Sequence, residues 1–486
     1  MALVKSLDFG SVIFSFGKQL KTDEHGKTNF LLAGIGGGEH DGANLTDTLI
    51  IASLDQQTKQ VKMLSIPRDL YIEDKVNGGE RINKIYDSYY HKNKDQAYGM
   101  EKLSETVTKL TGIPIQYSAR IDFNGFVKIV DALGGITVNV EHDIHDPFYP
   151  KGETIKYETF DIKAGIQELD GETALKYARS RKTTSDFDRA KRQQQTIAAI
   201  KEKALSSNVL TDPAKIQNIY NSVADSIETN LSVSEILELA KIAKDINKDK
   251  MESRVLTDDF TSCGGFLYTP NRDNFGGAAV LLPAGNEFDE INRFSKEYFY
   301  SPSIGPSAIQ VLNATKTPGL AQTYLNRISR DCLDVTYFGN ATNREQAKSV
   351  IYYNKDQNGQ IPAALNAIKE IINAPVLEGI PAEYLQTAKR ASSQIVIEIG
   401  ADYKSITSAD PFSKLLYTAP TIPKTTTETT AQPEAINIRK TSSETDSNNS
   451  TPDQTGKNNT NGTKKTTTTT TNTDKPTTPS TTKTTP

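Results

Sequence analysis

Short apolar runs separated by turn residues mark the chain from residue 29 onward. The first three runs are rich in branched residues and bounded by Gly, Asp and Gln-Thr-Lys, which is typical of strands buried on both faces. Apolar positions then take up the spacing of helices. Strands are predicted at residues 30–35, 48–54, 61–66, 117–121 and 136–140, and helices at 98–110 and 124–133. This alternation predicts an α/β fold built on a layered sheet.

From Asp170-Gly171 onward, the spacing of apolar residues is mainly that of helices. They predict helices at residues 171–178, 186–204, 212–229 and 232–246. Asp186 or Asp188 is expected to cap the second of these helices. Ser232-x-x-Glu235 has the pattern of a capping box at the start of the fourth. Residues 250–304 are rich in loop residues and are expected to close this domain.

Residues 306–403 carry a second α/β pattern of about 100 residues, a common size for a domain. Its strands are predicted at 308–312, 334–338 and 394–399, and its helices at 320–329 and 362–372. Beyond residue 420 the chain is mostly Thr, Pro, Ser, Asn and Lys, which cannot bury enough apolar surface to offset the entropy of ordering. The predicted organisation is an N-terminal segment at 1–28, a first domain at 29–304, a small α/β domain at 305–404 and a disordered tail at 410–486.

Charge and composition narrow the classes of protein that fit. The 56 basic and 60 acidic residues give a net charge of −4, which argues against general polyanion binding, so nucleic acid is not an expected partner. Cys263 and Cys332 permit at most one disulfide, and the sequence leaves that pairing open. No apolar run approaches the roughly 18 residues needed to span a bilayer, so any membrane anchor is expected to lie outside this chain.

Two motifs invite chemical interpretations that their spacing does not support. Gly34-Ile35-Gly36-Gly37-Gly38 follows a strand, but Glu39 replaces the third glycine of a dinucleotide loop, so a turn is favoured over nucleotide binding. The residues His142, Asp143, His145 and Asp146 could be metal ligands, yet no cysteine or distant ligand pair joins them, and a solvated loop is favoured. The Gly-x-Ser-x-Gly elbow of serine hydrolases is missing from the sequence.

The strongest charged constellation lies in Tyr177–Arg181 and Asp188–Gln195. In an extended segment Arg179 and Arg181 would point to the same side. On the following helix, Arg189 is the first residue of a stripe whose later positions are apolar. Two linked phosphates, each accepting an arginine fork beside a helix N-terminus, fit this concentration of positive charge. Ion pairing with neighbouring aspartates is the alternative that these residues leave open.

Further arginines and carboxylates flank the first strands. Ser65-Ile66-Pro67-Arg68-Asp69 directly follows a predicted strand, where α/β sheets build ligand sites. Thr46-Asp47-Thr48 precedes the neighbouring strand, and Glu80-Arg81-Ile82-Asn83 lies in the next loop. One carboxylate among many arginines suggests a Mg²⁺ ligand shared with phosphate oxygens.

In order and spacing, six motifs within residues 29–205 resemble the LytR-CpsA-Psr family. They are Leu45-Thr46-Asp47-Thr48, Ser65-Ile66-Pro67-Arg68-Asp69, Arg81-Ile82-Asn83, Arg120-Ile121-Asp122-Phe123, Val130-Asp131-Ala132-Leu133-Gly134-Gly135-Ile136, and Arg179-x-Arg181 with Asp188-Arg189-x-x-Arg192-Gln193. Residues 311–315, 318–321 and 399–403 are similar to the LytR C-terminal domain that often follows. The resemblance covers both predicted domains.

The resemblance implies a phosphotransferase that faces the outside of the cell and moves a glycopolymer from a polyprenyl-pyrophosphate carrier to peptidoglycan or another cell-wall acceptor. It also implies a mixed central sheet between helices in a three-layer domain, with an apolar tunnel for the prenyl chain and arginines at its mouth. Mg²⁺ would be the cofactor. The protein would be held at the membrane by an N-terminal anchor outside this chain.

The same resemblance assigns roles to individual residues. The pyrophosphate-binding residues would be Arg68, Arg81, Arg120, Arg179, Arg181, Arg189, Arg192 and Gln193, and Asp47 would be the metal ligand. The catalytic residues would be Arg68, Arg179, Arg181, Asp69 and Asp122, the two aspartates being candidates for the general base. Asp131 also matches a family position.

Two positions depart from the family pattern. Gly36 stands where relatives carry an aspartate, so one metal carboxylate is absent, and Asp41 has a different spacing. Leu45 stands where relatives often place an arginine. The alternatives are therefore a protein that binds polyprenyl pyrophosphate or tethers the wall with weak or no transferase activity, and a pyrophosphate hydrolase. Cytoplasmic transcriptional regulation lacks support, because the sequence has no helix-turn-helix with a basic face.

Overall fold

A computed structural model describes residues 19–39, 42–74, 78–151, 156–181, 186–209, 212–284, 288–301 and 308–405. The predicted tail at 410–486 lies outside the described residues, as do positions 1–18 of the predicted N-terminal segment. In the described part of the chain, the helices are all too short or too polar to cross a bilayer.

The described residues form strands and helices whose bounds are as follows. The strands are β1 Lys27–Ile35, β2 Thr48–Asp55, β3 Val61–Ser65, β4 Tyr71–Asp74, β5 Gly78–Arg81, β6 Tyr117–Asp122, β7 Ile136–Val140, β8 Ile144–Pro150, β9 Tyr157–Ile162, β10 Gly165–Leu169, β11 Ile227–Thr229, β12 Met251–Val255, β13 Leu267–Tyr268, β14 Leu282–Pro283, β15 Ile309–Asn313, β16 Val335–Asn340, β17 Val350–Tyr353, β18 Val376–Glu378 and β19 Ile395–Ile399. The helices are α1 Ile85–Asn93, α2 Gln96–Thr111, α3 Phe123–Ala132, α4 Gly171–Arg179, α5 Asp186–Ser206, α6 Pro213–Val223, α7 Val233–Ala243, α8 Asp289–Tyr300, α9 Leu320–Arg330, α10 Ala364–Ile371 and α11 Ala388–Ala391.

The branched apolar runs form a mixed central sheet with the strand order β11-β6-β1-β2-β3-β12. β1 runs parallel to β6 and antiparallel to β2, and β3 runs parallel to β12. The strand predictions in this region are confirmed, although β7 pairs with β10 in a separate small sheet. The predicted α/β fold with a mixed sheet between helices is therefore confirmed.

Helices cover both faces of the central sheet. On one face, α1, α2 and α8 enclose a core that includes Leu31, Ile51, Leu64, Leu103 and Phe294. On the other face, α3 packs against β6, and α5 packs against β3 and β12. The capping box that begins α7 is confirmed, because the Ser232 hydroxyl and the Glu235 carboxylate each bind the other's backbone N–H.

Several elements were not predicted or were predicted differently. The loop expected at 143–150 contains β8, which pairs with β9. The helix expected at 212–229 ends at Val223, and β11 follows it as the edge strand of the central sheet. Both candidate caps, Asp186 and Asp188, lie inside the first turn of α5, and the position that precedes this helix lies outside the described residues. The helix α1 was also missed. Edge strands of three residues and short hairpins carry too few positions for an alternation pattern to identify.

The second sheet has the order β16-β15-β19-β17-β18 and lies within residues 308–405. α9 and α10 cover one face and bury Ile309, Val311, Ile328, Ile368 and Ile397. The predicted strands and helices of this unit are confirmed to within two residues at each end. β17 and β18 were missed.

The helix α8 connects the two units, although residues 250–304 were expected to be loop-rich. Its apolar side enters the first core, with Ile291, Phe294 and Phe299. Its charged side meets α9, because Glu290 accepts a hydrogen bond from Arg327 at 3.0 Å and Arg293 pairs with Asp331 at 2.7 Å.

A disulfide joins Cys263 to Cys332 beside these ion pairs. The sequence left this pairing open. The bond links a loop of the first unit to Cys332, two residues beyond the end of α9. The Gly264 N–H donates to the Arg330 carbonyl at 2.9 Å, which fixes the same loop. One covalent bond, several ion pairs and a backbone hydrogen bond therefore connect the two units.

The Lys27–Asp55 pair at the start of β1 gives a prediction about pH. Burial works against the charged carboxylate, but the hydrogen bond from Lys27 at 2.5 Å and two backbone N–H groups outweigh it and lower the pKa of Asp55 to about 2. A carboxyl with a depressed pKa stabilises the fold above its unfolded pKa and loses that contribution as the pH falls. Asp55→Asn is expected to cost about 2 kcal/mol of unfolding free energy at neutral pH. The difference from the native chain should shrink as the pH falls from about 4 to about 2, which urea titrations at several pH values would measure. A constant difference at every pH would contradict this.

Candidate active site

The polar motifs around β1, β2, β3 and β6 meet at one edge of the central sheet. In the ladder, Gly34 lies opposite Thr48, Ile35 opposite Asp122, and Ile50 opposite Ser65. The ends of β1, β6 and β3 and the start of β2 are therefore neighbours. Polar groups at strand ends of an α/β sheet commonly form the ligand site, and this edge carries most of the predicted residues.

Asp47 is the centre of the cluster at this edge. Arg68 donates from Nη1 to Asp47 Oδ1 at 2.8 Å, and Asn83 Nδ2 lies 3.5 Å from the same oxygen. Arg189, which is only 6% exposed, reaches the Asp47 backbone carbonyl with Nη2 at 3.4 Å. Side chains more than a hundred positions apart are thus brought to one place, as the sequence predicted for these arginines.

A second carboxylate extends the cluster. Asp69 Oδ1 accepts a hydrogen bond from Arg81 Nη1 at 2.8 Å, and Asp69 Oδ2 lies 3.5 Å from Arg68 Nε. Arg68 therefore lies between two aspartates, while Arg81 remains 30% exposed at its side chain. Arg68 and Arg81 share these two carboxylates, and the Arg189 guanidinium reaches the Asp47 carbonyl beside them, so three cationic side chains meet at this edge of the sheet.

Arg179 reaches the same region from another direction. It is the last residue of α4, so the extended geometry assumed for Arg179 and Arg181 is wrong. Its guanidinium lies 3.9 Å from the centre of the Phe123 ring and donates from Nη1 to the Tyr149 hydroxyl at 3.1 Å. Phe123 directly follows the end of β6, which places Arg179 near this edge of the sheet. The aromatic partners were not predicted, although Phe123 belongs to one of the motifs.

Arg181 is held through its backbone. Its N–H donates to Asp146 Oδ2 at 3.1 Å, and the Ser180 hydroxyl donates to the same oxygen at 2.8 Å. Asp146 is only 2% exposed, so this buried carboxylate fixes the turn that presents the exposed Arg181 side chain. Sequence reasoning missed this positioning role.

The His142–Asp146 patch does not act as one group. Asp143 pairs with Lys163 at 2.8 Å, His145 pairs with Asp161 at 2.6 Å, and Asp146 binds the 180–181 turn. Among the residues that the structure describes, no three His, Cys, Asp or Glu side chains are grouped as a metal would need. Asp143, His145 and Asp146 thus each have a separate partner.

Arg192 donates hydrogen bonds to two backbone carbonyls. Its Nε donates to the Tyr177 carbonyl at 2.9 Å, its Nη2 donates to the Ser180 carbonyl, and it is 7% exposed. The contacts join α5 to the end of α4, which holds the segment between Arg179 and Arg181 in place. Gln193 is half-buried on the same helix, and its neighbour Gln194 donates to the Ser65 hydroxyl at 2.8 Å.

Arg192→Met is expected to lower the unfolding free energy by about 2 kcal/mol, because the buried Tyr177 and Ser180 carbonyls lose their donor. Urea unfolding would measure the loss. Lys191→Met is the matched control, since Lys191 is exposed on the same turn of α5 and should have little effect. If Arg192→Met left stability unchanged, the structural role of Arg192 would be wrong.

Three other predicted positions lie away from the arginine cluster or have backbone partners. Arg120 points to the opposite face of the sheet, where it donates to Gln96 at 2.9 Å and lies over the Tyr86 ring. Asp122 caps α3 by accepting from the Gly125 N–H at 2.8 Å. Asp131 accepts from the Gly171 N–H at 2.7 Å, which ties α3 to α4.

The glycine-rich loop after β1 makes room for Asp122. Gly37 has a φ of +75°, and a Cβ there would lie 2.9 Å from the Asp122 Cβ. A side chain at position 37 would therefore clash at the end of β6. The predicted turn is confirmed.

Several apolar residues on one face of the central sheet are only partly buried. On the face toward α3 and α5, Leu32, Gly34, Ala52 and Ala119 are only half-buried although they lie on central strands. On the opposite face the neighbouring strand residues are buried. Leu32 and Ala52 pack against the core that contains Phe30 and Ile242, and they keep part of their apolar surface accessible.

Asp47 is the candidate metal ligand that the structure places at the cluster. Its side chain is 39% exposed beside Arg68, so a ligand can reach it. Mg²⁺ often binds through one or two carboxylates plus phosphate oxygens and water, and a single aspartate beside a phosphate site fits that pattern. Gly36 adds no ligand, and Asp41 lies outside the described residues.

Comparison with known proteins places the chain in a family. The model of the LytR_cpsA_psr family matches residues 11–277, and the model described as LytR cell envelope-related transcriptional attenuator matches residues 307–403. The first match spans more than half of the chain. The protein therefore belongs to the LytR_cpsA_psr family, as the motifs indicated.

Several curated relatives are similar to this chain. The polyisoprenyl-teichoic acid–peptidoglycan teichoic acid transferase TagV of Bacillus subtilis is 32% identical over 53% of this chain and 61% of its own length. TagT of the same organism, which carries the same functional name, is 31% identical over 52% of this chain and 76% of its own length. The cell wall biosynthesis protein LcpA of Corynebacterium glutamicum is 24% identical over 82% of this chain and 78% of its own length.

A solved structure is also similar. The crystal structure of Bacillus subtilis TagV is 26% identical, covers 58% of this chain and all of its own chain, and has a TM-score of 0.44.

Proposed function

We propose that this protein is an extracytoplasmic phosphotransferase that moves a glycopolymer from a polyprenyl-pyrophosphate carrier to a cell-wall acceptor such as peptidoglycan. The observation that carries the proposal is the joining of Arg68, Arg81 and Arg189 around Asp47 and Asp69, beside apolar residues of the central sheet that are only partly buried. A linked pair of phosphates on a long hydrocarbon chain has this combination of charge and apolar surface. The names of the TagV and TagT relatives support the same class of reaction.

The arginines would hold the pyrophosphate. Arg68 and Arg189 flank Asp47, and Arg81 and Arg179 approach from the sides, so negative oxygens would meet guanidinium forks from several directions. Arginine forks match phosphate oxygens and remain charged at every physiological pH. Arg192 would act indirectly, by holding the turn that carries Arg181.

The partly buried apolar face of the central sheet would hold the prenyl chain. Leu32, Ala52 and Ala119 offer small or branched apolar surface along the sheet, and the hydrophobic effect favours the transfer of a hydrocarbon chain from water to such a surface. The chain would then run along β1 and β2 with its pyrophosphate at the arginine cluster.

The reaction would break one phosphorus–oxygen bond and form another. A hydroxyl oxygen of the acceptor attacks the phosphorus that carries the glycopolymer, the bond from that phosphorus to the bridging oxygen breaks, and polyprenyl phosphate leaves with the bond's electron pair. The hydroxyl proton passes to a carboxylate, for which Asp69 and Asp122 are the candidates. Arginines placed before the reaction would stabilise the charge that grows on the phosphate oxygens.

Mg²⁺ held by Asp47 together with phosphate oxygens would supply further neutralisation of that charge.

The proposal also places the protein on the outer side of the cytoplasmic membrane. A disulfide between Cys263 and Cys332 fits an oxidising compartment, because such bonds rarely persist in the cytosol. A membrane anchor outside this chain would keep the protein beside its lipid-linked substrate.

The test is product analysis with a lipid-linked oligosaccharide pyrophosphate and Mg²⁺, with and without a peptidoglycan acceptor. Transfer predicts polyprenyl phosphate and a glycan joined to the acceptor through phosphate, both only when acceptor is present. Release of polyprenyl phosphate and free glycan phosphate without acceptor would identify a hydrolase. Tight binding of the donor without either product would identify a binding protein and overturn the proposal.

A further inference from the structure

The edge strand β16 of the second sheet is long, uncharged and exposed. It has six residues, Val335–Asn340, and its sequence contains neither a charged residue nor a proline. It stands at one end of the strand order, so β15 is its one partner among the described strands. Phe338 on this strand is 47% exposed. An exposed edge of this kind is a template for pairing with another chain.

The other edges of the two large sheets differ from β16. At the far edge of the second sheet, β18 has three residues, and Glu378 on it pairs with Lys355 at 2.9 Å. In the central sheet, β11 has three residues and contains Glu228, and β12 contains Glu252 and Arg254. Short strands and charged side chains both prevent edge-to-edge pairing. β16 therefore stands apart from these edges in being both long and uncharged.

The backbone of β16 directs polar groups outward at this edge. The Ala341 N–H donates to the Asn313 carbonyl at 3.0 Å, and the residues that bond to a neighbouring strand alternate along the chain. Phe338 and Asn340 therefore direct their backbone N–H and C=O groups away from β15. The register of β16 shifts only at its start, and from Tyr337 to Asn340 each residue pairs with β15 in sequence. The outer edge of this segment is thus regular enough to accept another strand.

The helix that packs against β16 also presents an uncharged surface. α9 contacts both β15 and β16. Its charged residues, Arg327 and Arg330, are only 6% and 1% exposed, whereas Gln322 and Thr323 are exposed and Leu325 is half-buried. The central parts of protein interfaces are depleted of charged residues. The edge strand and its helix therefore share a composition that suits contact with another protein surface.

We propose that two copies of this protein associate through β16, which pairs antiparallel with β16 of the second copy about a two-fold axis and joins the two second sheets into one. Phe338 of each copy lies opposite Asn340 of the other, and each such pair exchanges backbone N–H···O=C hydrogen bonds. A two-fold interface must be self-complementary, and this pairing is. Two identical uncharged strands do not repel each other, whereas a charged partner would find no opposite charge on β16. The inference goes beyond the proposed function and does not depend on it.

Sedimentation equilibrium of the full chain over a series of protein concentrations tests the inference without any substrate. The native chain is expected to convert from monomer to dimer as the concentration rises. Phe338→Lys is expected to weaken the dimer about 100-fold, because two aromatic side chains no longer leave water and two ammonium groups are brought close together. Leu377→Lys is the matched control, since Leu377 is 48% exposed on β18, the opposite edge of the same sheet, and should leave the dimer unchanged.

A backbone variant separates strand pairing from apolar contact. Asn340→Pro removes an outward N–H, which an edge strand tolerates, and is expected to weaken the dimer about 30-fold. Thermal unfolding would confirm that each variant is folded. A native chain that stays monomeric would overturn the proposal, and so would a dimer that either Phe338→Lys or Asn340→Pro fails to weaken. Amide hydrogen exchange that is equally slow at Phe338 and Asn340 at every protein concentration would show that the chain covers its own edge, and would also overturn it.

Discussion

Arg68→Ala is expected to lower the turnover number for glycopolymer transfer by about 100- to 1000-fold, the loss typical when one preorganised charge partner of a transition state is removed. Arg68 lies between Asp47 and Asp69, and its side chain is only 16% exposed. Its removal would leave two carboxylates without a shared arginine at the place where phosphate oxygens are expected. Both the loss of attraction and the new repulsion act against the bound donor.

The measurement is the initial rate of acceptor-dependent product formation with saturating donor. Arg272→Ala is the control, since Arg272 is exposed on the turn after β13 and should keep the native rate. Urea unfolding of both variants would separate lost chemistry from lost structure. A rate within about threefold of native for a folded Arg68→Ala protein would show that the cluster does not carry the reaction.

Cys263→Ser combined with Cys332→Ser is expected to lower the unfolding free energy by about 4 kcal/mol, the value that loop-closure entropy gives for a link of this sequence separation. The two residues are 69 positions apart, and the link joins the first unit to the end of α9. Ion pairs would remain between α8 and α9. The loss should therefore appear first as separation of the second unit from the first.

Denaturant unfolding in the presence and absence of a reducing agent tests this expectation. The native chain should be destabilised by reduction, while the double serine variant should not respond. Addition of a reductant to Lys191→Met provides the matched control, because that variant keeps the disulfide. Equal stability of the oxidised native chain and the double serine variant would contradict a stabilising cross-link.

The central sheet could be predicted because its signals are local. Runs of branched residues at 30–35, 48–54 and 61–66 are mostly buried, so each strand can be recognised without knowing which strand pairs with it. The capping box at Ser232 is local in the same sense. The strand order could not be predicted from these runs, since β6 and β12 join the sheet from distant parts of the sequence.

The arginine cluster was only partly predictable. Arg68, Arg81 and Arg189 lie close together as the motifs predicted, since Arg68 follows the end of β3, Arg81 ends β5 and Arg189 lies in the first turn of α5. Arg120 belongs to a matching motif, but strand alternation turns it to the other face. Arg192 lies one turn from Arg189, and its carbonyl partners are set by the packing of α5 on α4, which no local pattern encodes.

The elements that were missed depend on contacts between distant residues, which no local sequence pattern indicates. β8 contains two prolines and a bulge, which interrupt the alternation of a strand. α8 begins after residues 285–287, which lie outside the described residues, and its charged side matches partners on α9 that are about forty positions away. Tertiary pairing decides both elements.

The position of α8 between two cores has a mechanical consequence. One side of this helix is part of the first hydrophobic core, and the other side is ion-paired to α9, with a covalent bond nearby at Cys263. Tension applied to the second unit would be carried through that bond and those ion pairs to the central sheet. Such a force would thus be resisted by the disulfide, the ion pairs and the first hydrophobic core together.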